Sequence, residues 1–566
     1  MEKHIKQVTI EPIRDIDIFK NATLLTKEEV KQAIEDTIKK IDLNMEHIGE
    51  RFPWSATKDL KYPIIDNIEW TDGFWTGLLW LAYEYTGDEK YRELADKNVD
   101  SFHHRVVNDI EIDHHDLGFL YSLSCVASYK LTGSEKAKEA AVLAADKLLT
   151  RWQEKGEFIQ AWGEYNNPEH YRFIIDCLLN IPLLYWATEV TGDDKYADIA
   201  ERHFYTSCQY VIRDDASAFH TFYMDPETGG PVRRATRQGY NDESSWARGQ
   251  AWGVYGIPLN YRYTHEDEVF PLHEGMTNYC LNRLPKDFVC YWDLIFTDDD
   301  NQSRDSSAAA IAVCGMLEMI KYMKNDELKT VYEGASHTIL RSLIDNYTKT
   351  THEPGNPVLY HGVYSWHSGK GVDEGNIWGD YYYLEALMRL YKDWELYWEE
   401  RGKIMSTPNI VMTRIDERLV HGQGQLWIKS LGVNTVIVAN DEAAQDVMAQ
   451  TLMKTVIPKS VAMRFFPVDK VIEVIHKASP QQSIFLIVKD TKDALRLVEG
   501  GVPISEINIG NIHNCEGKEK VTRSIFLGED DKDCLRKMVA KDIAFNTQTT
   551  PNGGDGAAPV DIRKYI

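Results

Sequence analysis

Along the first 400 residues, stretches that are apolar nearly all round alternate with stretches that carry a single apolar stripe. Gly77-Leu78-Leu79-Trp80-Leu81-Ala82-Tyr83 is of the first kind, the pattern of a helix covered on every side; Tyr91-Arg92-Glu93-Leu94-Ala95-Asp96-Lys97 is of the second, with one face to solvent. Polar turns separate them: Thr86-Gly87-Asp88-Glu89-Lys90-Tyr91, Thr132-Gly133-Ser134-Glu135-Lys136 and Thr191-Gly192-Asp193-Asp194-Lys195-Tyr196. Weaker copies follow at Thr264-His265-Glu266-Asp267 and Lys324-Asn325-Asp326-Glu327. Glycine ends one helix in the left-handed conformation, and the acidic residue caps or charges the start of the next. Counting 376–395 as a sixth inner helix with a terminal partner, the pattern predicts six α-hairpins closing into a ring of buried helices. An open helical-repeat solenoid is the competing arrangement, disfavoured by the long and uneven repeats.

After Pro408 the pattern changes to strand and helix in alternation. β-branched runs at 409–412, 435–438 and 483–488 separate amphipathic helices near 441–453, 469–478 and 491–499. That predicts an α/β domain with a mostly parallel sheet, helices on both faces and a site at the strands' C-terminal edge. The chain is therefore expected to be multidomain: 1–402, a junction at 403–407, and 408–566. Met405-Ser406-Thr407-Pro408 reads like the start of an independent chain.

Composition divides at the same place. Fourteen of 15 tryptophans and 29 of 30 tyrosines precede residue 401. Residues 401–566 carry 22 Lys+Arg against 20 Asp+Glu, leaving 41 against 68, or −27, for residues 1–400. So acidic a first part argues against nucleic acid or anionic membrane as a partner. The N-terminus has no apolar signal segment, and no run approaches the roughly 18 apolar residues of a membrane span. The eight cysteines form no CxxC pair and read as reduced, buried thiols. A cytoplasmic protein is expected.

The candidate chemistry lies where the inner helices begin. In order come Trp70-Thr71-Asp72-Gly73-Phe74-Trp75, His114-His115-Asp116-Leu117-Gly118, Tyr171-Arg172-Phe173-Ile174-Ile175-Asp176, Trp246-Ala247-Arg248-Gly249-Gln250-Ala251-Trp252, Asp305-Ser306-Ser307 and Trp378-Gly379-Asp380. In a closed ring these share one mouth, where aromatic rings can stack on sugar faces and carboxyls can move protons. Singly, Asp72, Asp305 and Asp380 also read as N-caps, and several tryptophans as core.

Trp70-x-x-Gly73-Phe74-Trp75, His115-Asp116-x-Gly118-Phe119 and Trp246-Ala247-Arg248-Gly249-Gln250-Ala251-Trp252-Gly253 resemble the unsaturated glucuronyl hydrolases over residues 20–398. The resemblance implies an all-α (α/α)6 barrel with no metal or organic cofactor. It also implies removal of the 4,5-unsaturated uronate that polysaccharide lyases leave on glycosaminoglycan disaccharides. The substrate is a vinyl ether: a carboxylic acid protonates C4, water adds at C5, and the resulting hemiketal opens and expels the neighbouring sugar. By the same resemblance Asp176 is the general acid/base and Asp116 its partner, while Trp70, Phe74, Trp162, His220, Gln238, Arg248 and Trp252 surround the sugar. The apolar flank of Asp176 suits a raised carboxyl pKa, and the fork of Arg248 suits the uronate carboxylate. Ser365, Ser368 and Lys370 match a Ser-x-x-Ser-x-Lys pattern of relatives that favour sulfated chondroitin or hyaluronan disaccharides. Related unsaturated rhamnogalacturonyl hydrolases share the barrel and the acid pair. A sugar epimerase would use paired histidines, and a barrel that only binds sugar for the second domain is a further alternative.

In the second part, Arg414-Ile415-Asp416-Glu417-Arg418-Leu419-Val420-His421-Gly422-Gln423 resembles the IIB components of the mannose/fructose/sorbose/N-acetylgalactosamine branch of the sugar phosphotransferase system. The resemblance implies that His421 takes phosphate from a phosphorylated IIA protein and passes it to sugar arriving through membrane IIC/IID components. Arg414, Asp416 and Arg418 would balance the phosphate's charge and orient the imidazole.

Overall fold

The computed structural model describes residues 5–165, 167–349, 351–392, 394, 397, 409–458, 461–475, 482–541, 543–551 and 560–566. Two compact units divide the chain, Met1–Glu400 and Arg401–Ile566. The expected junction at 403–407 lies outside the described residues.

In the first unit the predicted turns end and begin helices. α1 (Lys27–Ile48) opens on a capping box between Thr26 and Glu29. α2 (Asp72–Thr86) stops at Gly87, φ 69°, and the Asp88 side chain accepts from the Lys90 N–H to start α3 (Glu89–Val107). The second inner helix runs from α4 (Leu117–Tyr121) through a π-helical turn, Ser122–Val126, into α5 (Ala127–Thr132); Ser134 then caps α6 (Glu135–Leu149). α7 (Cys177–Asn180) and α8 (Pro182–Thr191) form the third, followed across Gly192 by α9 (Lys195–Tyr210). α10 (Ala247–Thr264) pairs with α11 (Val269–Leu281), and α12 (Ser306–Ile320) with α13 (Asp326–Asn346). α14 (Ile377–Tyr391) is the sixth inner helix, with α1 packed against it as its partner.

The inner helices pack in chain order: α2 on α4, α4 on α7, α7 on α10, α10 on α12, α12 on α14, and α14 back on α2. At the second of these seams backbone meets backbone. A Cβ on Gly118 would stand 2.3 Å from the Cα of Asn180. Short antiparallel strands lie between the helices, among them Arg172–Ile174 with Thr221–Met224 and Gly362–Ser365 with Lys370–Glu374. The Ser365–Gly371 segment, read from sequence as a loop, is thus the tip of a β-hairpin.

The second unit holds a six-stranded, all-parallel sheet of β1 (Ile410–Asp416), β2 (Thr435–Ala439), β3 (Ala462–Phe466), β4 (Ile484–Val488), β5 (Glu506–Asn511) and β6 (Ala544–Asn546), in the order β3-β2-β4-β1-β5-β6. Alternate residues of each strand feed separate cores on its two faces: Phe485 and Ile487 pack with Trp427 and Val438, while Ile484, Leu486 and Val488 pack with Ile437 and Leu497. The helix expected from 441 begins only at Val447, where Asp446 caps it.

Seven of the eight cysteines are buried free thiols, and Cys515 is exposed. Among the described residues, no helix is long and apolar enough to cross a membrane.

Candidate functional site

Four of the six inner-helix starts converge on a cavity of 690 Å³. Trp70, Asp116, Trp162, Asp176, His220, Gln238, Arg248, Trp252, Ser365, Ser368 and Lys370 all line it. Phe74 does not. It is fully buried against Trp70, Phe119, Tyr381 and Tyr382, so it supports the Trp70 ring from below and packs the core. The other two helix starts act as braces. Trp378 stacks on Trp70 with ring centroids 5.4 Å apart, and Asp305, which caps α12, accepts a hydrogen bond from Arg248 Nη1 at 2.8 Å. Asp380 is not an N-cap, since Asn376 caps α14; its carboxylate accepts the Val358 and Leu359 N–H groups and the Tyr62 hydroxyl.

Asp116 and Asp176 precede α4 and α7, so the Gly118–Asn180 seam sets their approach; the Asn180 side-chain Oδ1 also accepts the Phe119 N–H at 2.9 Å. Between them stands His115, its Nε2 3.4 Å from Asp116 Oδ1 and 3.3 Å from Asp176 Oδ1. The carboxyls keep side-chain exposures of only 14 % and 16 %. Burial and the neighbouring charge of Asp116 push Asp176 well above the usual carboxyl range, against the attraction of Arg248. For Asp116 burial opposes ionisation, but His115, His114 and the Asn180 amide hold it below that range. One acid is therefore biased to keep its proton and the other to lose it. His115, Asp116 and Asp176 also place donor atoms within 4.8 Å of one another, among the described residues the one group tight enough to enclose a cation, although the spacing serves a shared proton equally.

Arg248 does not present the fork expected of it. Its Nη1 donates to Asp305 and to the Val363 carbonyl (2.6 Å), and its Nη2 to Gln238 Oε1 (2.6 Å) and the Tyr364 carbonyl (2.8 Å). With those N–H groups taken and the side chain 1 % exposed, Arg248 fixes Gln238 and the 362–374 hairpin and contributes charge from behind the wall. Cations do concentrate here, as an acidic unit needs for an anionic ligand. Arg237 lines the cavity, its guanidinium carbon 4.6 Å from the centre of the Trp162 ring, and Arg172 lies 3.5 Å from that ring. Beside them His220 accepts the Arg237 backbone N–H on Nδ1; burial and the three arginines push its pKa down to about 3, so it is neutral. At the rim, Ser365 pairs with Lys370 across the hairpin, and Ser368 Oγ donates to the Ser365 carbonyl. Among the described residues Lys370 makes no ion pair; its ammonium lies over Trp54 and Tyr364.

In the second unit Asp416 ends β1 and gathers three partners. Arg414 Nη2 donates to it at 2.9 Å, Arg418 Nε at 3.1 Å, and His421 Nε2 lies 2.9 Å from its Oδ2. Burial opposes ionisation of Asp416, yet these contacts hold it well below the usual carboxylate range. Arg414 also donates from Nη1 to Asn508 on β5.

Sequence reasoning gave no role to His115, Arg237, Trp246 or Tyr364, which also line the first cavity. His115, Trp246 and Tyr364 lie within or beside the quoted motifs, and Arg237 adjoins Gln238. Position in the chain was their only signal.

A cavity combining aromatic platforms, cations and two carboxyls of opposite proton bias defines a carbohydrate-cleaving hydrolase unit, and the histidine–aspartate–arginine cluster a phosphotransfer unit. The chain belongs to glycosyl hydrolase family 88, whose profile matches residues 40–395, and through residues 410–562 to the PTS system sorbose subfamily IIB components. It is 62 % identical over 395 residues to the unsaturated chondroitin disaccharide hydrolase of Streptococcus pneumoniae, covering 70 % of this chain and 100 % of that one. Its C-terminal part is 46 % identical over 145 residues to the N-acetylgalactosamine-specific phosphotransferase enzyme IIB component 2 of Escherichia coli, covering 25 % of this chain and 92 % of that one. Two crystal structures of unsaturated glucuronyl hydrolase from Streptococcus agalactiae match with TM-scores of 0.69 and 0.64 and identities of 61 % and 56 %. Each covers 70 % of this chain and 100 % of its own; the second is a mutant complexed with dGlcA-GalNAc6S.

Proposed function

We propose that residues 1–402 fold as an (α/α)6 barrel and hydrolyse unsaturated glucuronyl disaccharides of the chondroitin and hyaluronan type by hydrating the 4,5 double bond. The opposite proton bias of Asp176 and Asp116 carries this reading. Asp176 donates its proton to C4 as water bonds to C5, then recovers a proton from that water. Asp116, ionised throughout, holds the sugar's hydroxyls. Trp70 and Trp162 offer ring faces, and Arg237 and the charge of Arg248 attract the uronate. Ser365, Ser368 and Lys370 form a rim suited to a sulfate, which favours a sulfated glycosaminoglycan disaccharide over a rhamnogalacturonan product. Incubation with unsaturated chondroitin disaccharide should remove the ultraviolet absorbance of the conjugated enol ether, unchanged by EDTA. Asp176→Asn should lower turnover by about 10²–10⁴-fold while leaving binding intact. Absence of turnover on this substrate, or an Asn variant of normal rate, would overturn the reading.

Residues 408–566 act as the phosphorylated IIB step of sugar import. Asp416 holds Nε2 of His421, so the phosphoryl group is taken at Nδ1, while Arg414 and Arg418 offset its charge. The donor is a phosphorylated IIA protein and the acceptor a sugar presented by membrane IIC/IID components. One phosphate, acid-labile and alkali-stable, should appear on the protein and be lost in His421→Gln. Phosphate on another residue would remove the assignment.

A further inference from the structure

The hydrolytic reading leaves His115 unused, yet it lies against both acids. It is fully buried between the two acids, with Nε2 3.4 Å from Asp116 Oδ1 and 3.3 Å from Asp176 Oδ1. Neither is a full hydrogen bond, and one N–H cannot satisfy both. Its Nδ1 and the Asp176 Oδ1 atom are buried without a hydrogen-bond partner. A buried N–H with no acceptor costs more than an unused lone pair, so the ring proton belongs on Nε2, facing the carboxyls. The groups around the ring are Asp116, Asp176, His114, Arg151 and His203. Burial, with His114 and Arg151 adding to it against the attraction of Asp116, pushes the imidazole pKa down to about 4 and keeps it neutral.

We propose that His115 is a positioning residue that lends its single N–H to whichever of the two carboxyls is charged. Before reaction that is Asp116, which leaves the proton on Asp176. When the Asp176 O–H proton moves to C4, the π electrons of the double bond form the new C4–H bond and water oxygen bonds to C5. Asp176 is then an anion beside an anion, the arrangement most opposed by like-charge repulsion. The Nε2–H turning toward Asp176 offsets that repulsion until the added water returns a proton to Asp176 and the N–H reverts to Asp116. His115 gains and loses no proton, and the net change is addition of one water. The proposal rests on the hydration reading above.

The test compares pH profiles of kcat/KM and kcat on unsaturated chondroitin disaccharide for the full-length protein, His115→Gln, which keeps an N–H donor, and His115→Met, which fills the volume without one. Losing the donor should raise the pKa of Asp116, so in His115→Met the acid limb is expected to move up by about 1 pH unit. Its kcat should fall by about 10²-fold, with KM nearly constant. His115→Gln should restore the limb to its original position. If both variants lose rate equally and neither limb moves, His115 is only packing and the proposal falls. Should His115→Met fail to fold, His115→Asn, whose amide stops short of the carboxyls, takes its place with the same expectations. Inactivity of Asp176→Asn alongside unmoved limbs would remove this proposal alone, whereas normal activity of Asp176→Asn would remove the hydration reading beneath it.

Discussion

A Cβ atom on Gly510 would stand 2.0 Å from the guanidinium of Arg414. Gly510 and Asn508 lie two residues apart on β5, hence on one face, and Asn508 is the residue paired with Arg414 across the strands. The missing side chain at one position and the amide at the other make the slot through which Arg414, 1 % exposed, reaches Asp416 and, beyond it, His421.

Gly510→Ala should therefore disconnect the phosphotransfer site without dismantling the sheet. Overpacking of this sort costs about 1–3 kcal/mol of stability, while phosphate uptake from a phosphorylated IIA protein is expected to fall at least 10-fold. Uptake at the parental rate would show that Arg414 finds another path to Asp416.

Gly118→Ala tests the same principle in the first unit. A methyl group there must push α4 off Asn180 and so change the separation of Asp116 and Asp176. A displacement of about 1 Å in reacting groups costs about 10²-fold, so kcat should collapse while the far-ultraviolet dichroism remains helical. A variant with parental kcat would mean that the acid pair tolerates the shift.

These two glycines show how much the sequence could reveal. The turn glycines at 87, 133 and 192 announce themselves locally, because a helix ends beside them. Gly118 and Gly510 matter through chain 62 and 96 residues away, Asn180 and Arg414, which no local pattern records. Phe74 was misjudged for a related reason. Trp70 precedes α2 and Phe74 sits in its first turn, their rings meeting edge to face 6.2 Å apart, and only Trp70 meets the cavity. The helix pattern cannot say which end is up. Arg248 likewise looked available until the structure brought in Asp305, Val363 and Tyr364. In the second unit β5 was missed because Asn508, Gly510 and Asn511 interrupt its apolar run, and those polar positions are the ones that serve Arg414.

Lys370→Ala should separate sulfated from unsulfated substrates. Losing a charged hydrogen-bonding group from the rim is expected to lower kcat/KM on a sulfated unsaturated disaccharide about 10-fold and barely alter the unsulfated one. Equal losses on both would make the hairpin tip structural.

Asp380 predicts a pH dependence of stability. Burial, opposed by its bonds to Leu359, Val358 and Tyr62 and by Lys40, pushes its carboxyl up to about 7 from an ordinary 3.8. The folded state thus binds the proton more tightly than the unfolded one. The contribution is fully present below pH 3.8 and is lost as pH rises through about 7, an effect on the order of 4 kcal/mol. Asp380→Asn cannot titrate, so the difference in Tm between the two proteins should change by several degrees between pH 4 and 7. A constant difference would show that the carboxylate is solvated when charged.

The two units share one polypeptide, and that fact has an arithmetic consequence. Ribosomes release one hydrolase site with every phosphotransfer site, so no promoter, messenger half-life or translation rate can alter their ratio. Balance between sugar phosphotransfer and disaccharide hydrolysis must then be struck by turnover numbers and affinities, or by cutting the chain between them.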